Sequence, residues 1–135
     1  MMLTLYSALK AALLARLAGD PAVAAILPVV YERPPGDARP PYLVIEPGLL
    51  ADWSNKTAAG LAAEIRLVLL LAEDDDTSAE SAAETVLQAL TPWPVLTAAR
   101  IVRLTVREVR IARPRDAGRQ VTIQLDVRVA EDPAP

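Results

Sequence analysis

The chain contains no cysteine, no histidine and no phenylalanine in 135 residues. Without cysteine there is no disulfide framework and no thiolate to hold zinc or to act as a nucleophile. Without histidine the side chain best suited to proton transfer near neutral pH is missing, and with it the Ser-His and Cys-His nucleophile arrangements. These two absences exclude most hydrolase and metal-site chemistry, so no catalytic residue, metal or cofactor is expected. Apolar runs are short. The most apolar, Leu67 to Ala72, falls well below the roughly 20 residues that span a bilayer. The opening Met1 to Tyr6 has no basic segment, and Lys10 and Arg16 interrupt the apolar stretch where a secretory signal would be continuous. A soluble, non-secreted protein with no membrane partner is the expectation.

At 135 residues the chain has the size of one ordinary domain, able to bury about 70% of its unfolded surface. We expect that domain over 1–130 and a disordered tail over 131–135. The net charge of −3 hides an uneven distribution: residues 1–99 carry 6 basic and 12 acidic groups, whereas 100–128 carry 8 basic and 3 acidic. Such asymmetry suits either nucleic-acid contact or complementary faces that meet between subunits.

Leu5, Leu9, Leu13 and Leu17 recur every fourth residue, which predicts an amphipathic helix with Lys10 and Arg16 turned to solvent. Gly19 stops it, and Asp20-Pro21 supplies an N-cap and a first-position proline for a short helical turn through Ile26. Val29 to Tyr31 reads as a short strand, and the prolines between Pro34 and Pro41 impose an extended loop. Tyr42 to Glu46 reads as a strand closed by Pro47-Gly48, and Glu64 to Leu71 as a central strand. Thr77 to Glu80 has capping-box spacing ahead of a helix marked by Ala83, Val86, Leu87 and Leu90, which Pro92-Trp93-Pro94 ends. The chain closes on a long antiparallel hairpin. Val121, Ile123, Leu125, Val127 and Val129 alternate with polar residues along its second strand. In its first strand, from about Arg100 to Ala112, the apolar phase changes near Arg107-Glu108, which predicts a bulge. The fold class is therefore α+β: a mainly antiparallel sheet with two main helices packed on one face and a long C-terminal β-hairpin.

Four features invite a functional reading. The acidic run Glu73 to Asp76 lacks the spacing and glycine of a calcium loop and fits a solvated, helix-capping segment better. Ser54 and Lys56 have the residue types of a Ser-Lys dyad, but their polar, alanine-rich surroundings offer no desolvated pocket. Arg103 and Arg107 share a strand face, and Arg110, Arg113, Arg115 and Arg119 gather near the hairpin tip. They form a solvated face, an interface that reaches neighbouring carboxylates by forked contacts, or a nucleic-acid contact, for which stacking aromatics are missing. Trp53, flanked by Asp52, Ser54, Asn55, Lys56 and Thr57, either plugs the edge of the core or anchors a partner.

In order, the chain presents an N-terminal helix, a proline-rich stretch into Pro41-Tyr42-Leu43-Val44-Ile45, the Asp52 to Thr57 segment, a strand near Glu64, and a hairpin carrying Arg113-Pro114-Arg115-Asp116-Ala117-Gly118-Arg119. This order resembles the tail-completion, or tail-terminator, family of long-tailed phages, prophages and gene transfer agents. The resemblance implies a non-enzymatic virion protein that forms a homo-hexameric ring at the tail–neck junction. Such a ring caps the head-proximal end of the tail tube, joins it to a neck or head-closure protein, and lets DNA pass through its lumen without specific binding. It also implies that the subunit resides in the host cytoplasm before assembly. A head-closure or neck component is the alternative structural role, and a small nucleic-acid-binding module the alternative of another class. Under the first reading Trp53, Ser54, Asn55, Lys56 and Thr57 together with Arg103, Arg107, Arg110, Arg113, Arg115 and Arg119 are the expected contacts to neighbouring subunits or partners.

Overall fold

A computed structural model describes residues 2–114 and 118–133. The leucine stripe forms the inner side of α1 (Met2–Gly19), where Leu5, Leu9, Leu13 and Leu17 are all buried. Asp20 Oδ1 then accepts hydrogen bonds from the N–H groups of Ala22 (2.9 Å) and Val23 (3.0 Å), and so starts α2 (Pro21–Ile26) at the first-position proline. After β1 (Val30–Tyr31) and the proline-rich loop come β2 (Tyr42–Asp52), β3 (Gly60–Leu71), α3 (Asp76–Ala89), β4 (Ala99–Ala112) and β5 (Arg119–Glu131). The strands form one sheet in the order β1-β2-β3-β5-β4, parallel only between β1 and β2.

Period-2 alternation decides which face of the sheet is covered. Leu61, Ala63, Ile65, Leu67 and Leu69 of β3 pair across the ladder with the buried valines, isoleucine and leucine of β5, and together with Leu71 they meet α1 and α3 in a single core. The opposite parity, with Glu64, Arg66, Gln124, Asp126 and Arg128, forms an open face. β3 and β5 are both central, which leaves β1 and β4 as edges.

Three local expectations are corrected. β2 does not close at Pro47 but continues to Asp52, with a register shift between Pro47 and Leu50. β1 pairs only with Leu43 and Val44, so from Ile45 onward β2 is itself the sheet edge, where a proline forfeits no ladder bond. The N-cap of α3 is Asp75 rather than Thr77: its carboxylate accepts from the Ser78 N–H at 2.9 Å and from the Ser78 hydroxyl. A carboxylate at this position answers both the free N–H groups and the positive end of the helix. The bulge near Arg107 lies between Val106 and Glu108, but a second one lies between Ile101 and Arg103. The two bulges return Ile101, Leu104, Val106, Val109 and Ile111 to the helix side, opposite Val129, Val127, Leu125, Ile123 and Val121.

At the C-terminus β5 runs through Glu131, and the Asp132 N–H bonds to Ala98 O at 3.0 Å. The paired chain therefore extends beyond the 1–130 boundary expected for the domain. The hairpin tip at 115–117 and residues 134–135 lie outside the described residues.

Candidate interaction surfaces

The Asp52 to Thr57 segment is the connection between β2 and β3, and its polar side chains are committed to shaping it. Asn55 Oδ1 accepts from the N–H groups of Thr57 and Ala58, both at 2.9 Å, and from the Thr57 hydroxyl at 3.0 Å. Ser54 Oγ donates to Asp52 Oδ1 and accepts from the Gly60 N–H at 3.0 Å. These are the local side-chain to backbone bonds by which Asx and Ser/Thr residues make turns. The Ser54 hydroxyl, followed by its N–H, holds the Asp52 carboxyl below the usual carboxylate range. The Trp53 N–H closes the loop onto Gly60 O at 3.0 Å. A Cβ at position 60 would stand 2.5 Å from Trp53 O, so the close approach requires glycine. Trp53 itself is 44% exposed, and Lys56 points to solvent. Of the five loop residues, these two remain free to meet a partner.

The hairpin arginines divide in the same way. Arg119 is only 11% exposed, held between Asp76 (2.9 Å) and Asp74 (3.8 Å). Asp74 also accepts the Gly118 N–H. The acidic run is thus a latch: Asp75 caps α3 while its two neighbours clamp the start of β5. Arg107 Nη1 lies 2.7 Å from Asp126 Oδ2, which raises the guanidinium pKa further. Arg110 pairs with Glu108 at 3.4 Å, and Arg100 with Asp132 at 3.7 Å. Arg103 and Arg113 are exposed, and Arg115 lies outside the described residues. Four arginines of the basic segment are therefore paired within the fold, and the open face it contributes to is of mixed sign.

Two surfaces were not legible from residue types alone. On β4, Val106 and Val109 are 41% and 43% exposed on the helix side because the helical layer covers this edge strand only in part, and Val102, at the first bulge, is 41% exposed. On α1 the exposed positions Leu3, Thr4, Ser7, Ala11, Ala15 and Ala18 carry no charge. Its two charged residues both turn to neighbours rather than solvent. Lys10 pairs with Glu32 at 3.3 Å and lies over the Tyr6 ring, and Arg16 donates to the carbonyls of Ala89 (3.1 Å) and Pro92. The amphipathic helix expected from the leucine spacing is thus apolar nearly all round. With 18 residues and a mean hydropathy of 1.2 it also has the length and composition of a membrane span, while its leucine stripe lies in the core. Beside it Trp93, 41% exposed, and Val95, 91% exposed, border a cavity of about 430 Å³ with Pro92, Leu96 and Ile101.

The family model for "Tail completion protein gp17" matches residues 11–130. Among solved structures, a chain in "Virion of native gene transfer agent (GTA) particle" superposes with a TM-score of 0.80 at 28% identity, covering 93% of this chain and 97% of that one. "Structure of bacteriophage SPP1 gp17 protein" shares the fold with a TM-score of 0.58 at 19% identity, covering 90% and 88% respectively. None of the curated proteins matches the sequence. A family match over nearly the whole of one sheet-and-helix core, agreeing with the order of landmarks in the sequence, establishes that the chain belongs to the tail completion protein gp17 family.

Proposed function

We propose that this chain closes the head-proximal end of a tail tube as a ring of its own copies, binds the tail tube protein on one side and the neck or head-closure protein on the other, and carries no catalytic activity. The family match and the virion particle among the structural relatives support a structural role in a tail. The observation that carries the ring is the presence of two unlike uncovered surfaces on one subunit. The outer side of α1 is uncharged, and the helix side of β4 exposes Val106 and Val109. A helix apolar on all sides is normally covered on all sides. Joining one kind of surface on one copy to the other kind on the next is a heterologous contact, and such contacts close into rings when the rotation allows. DNA passes through such a ring without specific binding, in keeping with the internal pairing of Arg100, Arg107, Arg110 and Arg119.

Electron microscopy of particles assembled without the protein tests the reading. Tails of uncontrolled length, or heads and tails left unjoined, are expected; particles with normal, joined tails would overturn it. Locating the subunit in a density map of complete particles separates a tail-capping ring from a neck component one layer nearer the head.

A further inference from the structure

At the β2–β3 loop end of the sheet, an aromatic side chain borders a depression, and two residues along the register on the open face stands a pair of arginines. Trp53 is that aromatic. Its ring carbon Cε3 would lie 3.3 Å from a Cβ at Gly60, so the indole stands over the glycine. A cavity of about 390 Å³ opens there, bounded by Trp53, Ala58, Gly60 and Ala130 and, on the loop side, by Asp52, whose carboxylate is held by Ser54. The ladder register extends the small-residue floor: Ala51 pairs with Ala62, and Ala62 with Arg128. At the far end of that floor stand Arg128 and Arg103, its direct partner on β4.

Like charges directly opposite each other across two strands are destabilising. Neither arginine has an ion-pair partner among the described residues, in contrast to Arg100, Arg107, Arg110 and Arg119. Among the described residues the Arg128 guanidinium donates one long hydrogen bond, 3.5 Å to Val127 O. An anion placed between them relieves the repulsion. The next register row on the same face holds Glu64 and Asp126. A nucleic-acid backbone, with a charge about every 1.7 Å of duplex, would run its phosphates onto these carboxylates. A polypeptide sets single charges at chosen positions and avoids them.

We infer that this depression receives an extended segment of a partner protein in which an apolar side chain and an acidic one are two residues apart. The apolar group packs against Trp53 over Gly60, and the carboxylate reaches Arg128 and Arg103. Gly60 and Arg128 lie on neighbouring strands two residues apart in register, so one strand spacing of about 4.8 Å and about 6.8 Å along the strand separate the two groups; side chains i and i+2 of an extended chain cover the second distance, and the arginine side chain reaches across the first. This inference does not depend on ring formation.

The chain has two tryptophans, hence two indole N–H signals in a nitrogen-15 correlation spectrum, assignable with Trp53→Phe. The probes are a blocked peptide of repeating Leu-Ser-Asp-Ser and, separately, single-stranded oligothymidylate. Expected are saturable shifts of the Trp53 indole and of the Arg103 and Arg128 amides with the peptide, weakened by salt, while the Trp93 indole stays in place. The double variant Arg103→Gln/Arg128→Gln should weaken binding about tenfold or more, the loss of one charge-assisted contact, and keep or raise thermal stability because it removes a like-charge pair. No saturable shift up to about 5 mM peptide, a range that still detects millimolar affinity, would overturn the inference. So would shifts that persist in the double variant, or tighter binding of the oligonucleotide at the same signals.

Discussion

Arg119 Nε donates to Asp76 Oδ1 at 2.9 Å, joining the first residue of β5 to the first residue of α3. The guanidinium is 11% exposed, whereas Asp76 and Asp74 remain 59% and 73% exposed. Solvent therefore screens the carboxylates, but the arginine cannot regain full hydration while folded. Arg119→Gln should lower unfolding free energy by about 1–2 kcal/mol, the range for a partly screened, charge-assisted contact. Urea denaturation reads the loss, and Asp76→Asn should lose less because Asp74 remains.

Trp53 and Gly60 provide a second test, this one of backbone approach. A methyl group at position 60 would meet Trp53 O at 2.5 Å, which neither backbone can relieve without opening the loop. Gly60→Ala is expected to cost about 1–3 kcal/mol, the usual range for forcing atoms into a filled site. It should also change Trp53 fluorescence, because the indole loses its seat. Gly36→Ala, where a Cβ meets nothing within 4 Å, is the control expected to be nearly neutral.

How far the fold could be read in advance follows from which signals are local. The leucine period of α1, the Asp20-Pro21 cap and the strict alternation of β5 are each written in neighbouring residues, and each forms where expected. Pro47 misled because its effect depends on whether a strand lies alongside, and β1 is too short to reach it. Asp75 displaced Thr77 as the cap because two acceptable caps stand two residues apart, and the fold chose the carboxylate. The site divides on the same principle. Residue types marked Trp53 as an exposed aromatic candidate, but they could not reveal that Ser54, Asn55 and Thr57 serve the turn. Nor could they show that Arg119 and Arg107 find carboxylates 43 and 19 residues away. The bare side of α1 was hidden for a similar reason: Lys10 and Arg16 look like solvent-facing charges until their partners, Glu32 and the carbonyls of Ala89 and Pro92, come into view.

Acid should weaken the protein through its caps. The Ser78 N–H, followed by its hydroxyl, holds the Asp75 carboxyl below the usual carboxylate range, and Ser54 does the same for Asp52. A depressed carboxyl contributes stability that is fully present above its unfolded pKa, about 3.9, and is lost as pH falls through its folded value. With no histidine in the chain, no side chain with an ordinary pKa between about 5 and 8 is present to titrate. Melting temperature should therefore hold level across that range and fall below about pH 4. Asp75→Asn keeps a capping oxygen but cannot titrate, so its decline below pH 4 should be shallower from a slightly lower plateau. Thermal unfolding followed by circular dichroism across pH decides the comparison, and equal slopes for the two proteins would remove Asp75 as a source of acid sensitivity.

The valines on β4 separate folding from assembly. Val106 and Val109 are 41% and 43% exposed on the helix side of an edge strand, so threonine at both positions keeps the branched shape and strand preference while adding a hydroxyl that water can reach. The isolated subunit should fold as before, with a melting temperature within about 2 °C of the parent, since surface changes of this kind fall within about 0.5 kcal/mol. If this stripe is covered by the next subunit of a ring, each substitution removes about 1 kcal/mol of burial at every interface. Two per interface correspond to a roughly tenfold to thirtyfold weaker contact. Native mass measurement with and without assembled tail tube should then show rings for the parent and a shift toward monomer for Val106→Thr/Val109→Thr. Rings of unchanged stability in the double variant would mean that the stripe faces something other than a neighbouring subunit, and would direct attention to the uncharged side of α1 as the other surface proposed for the contact.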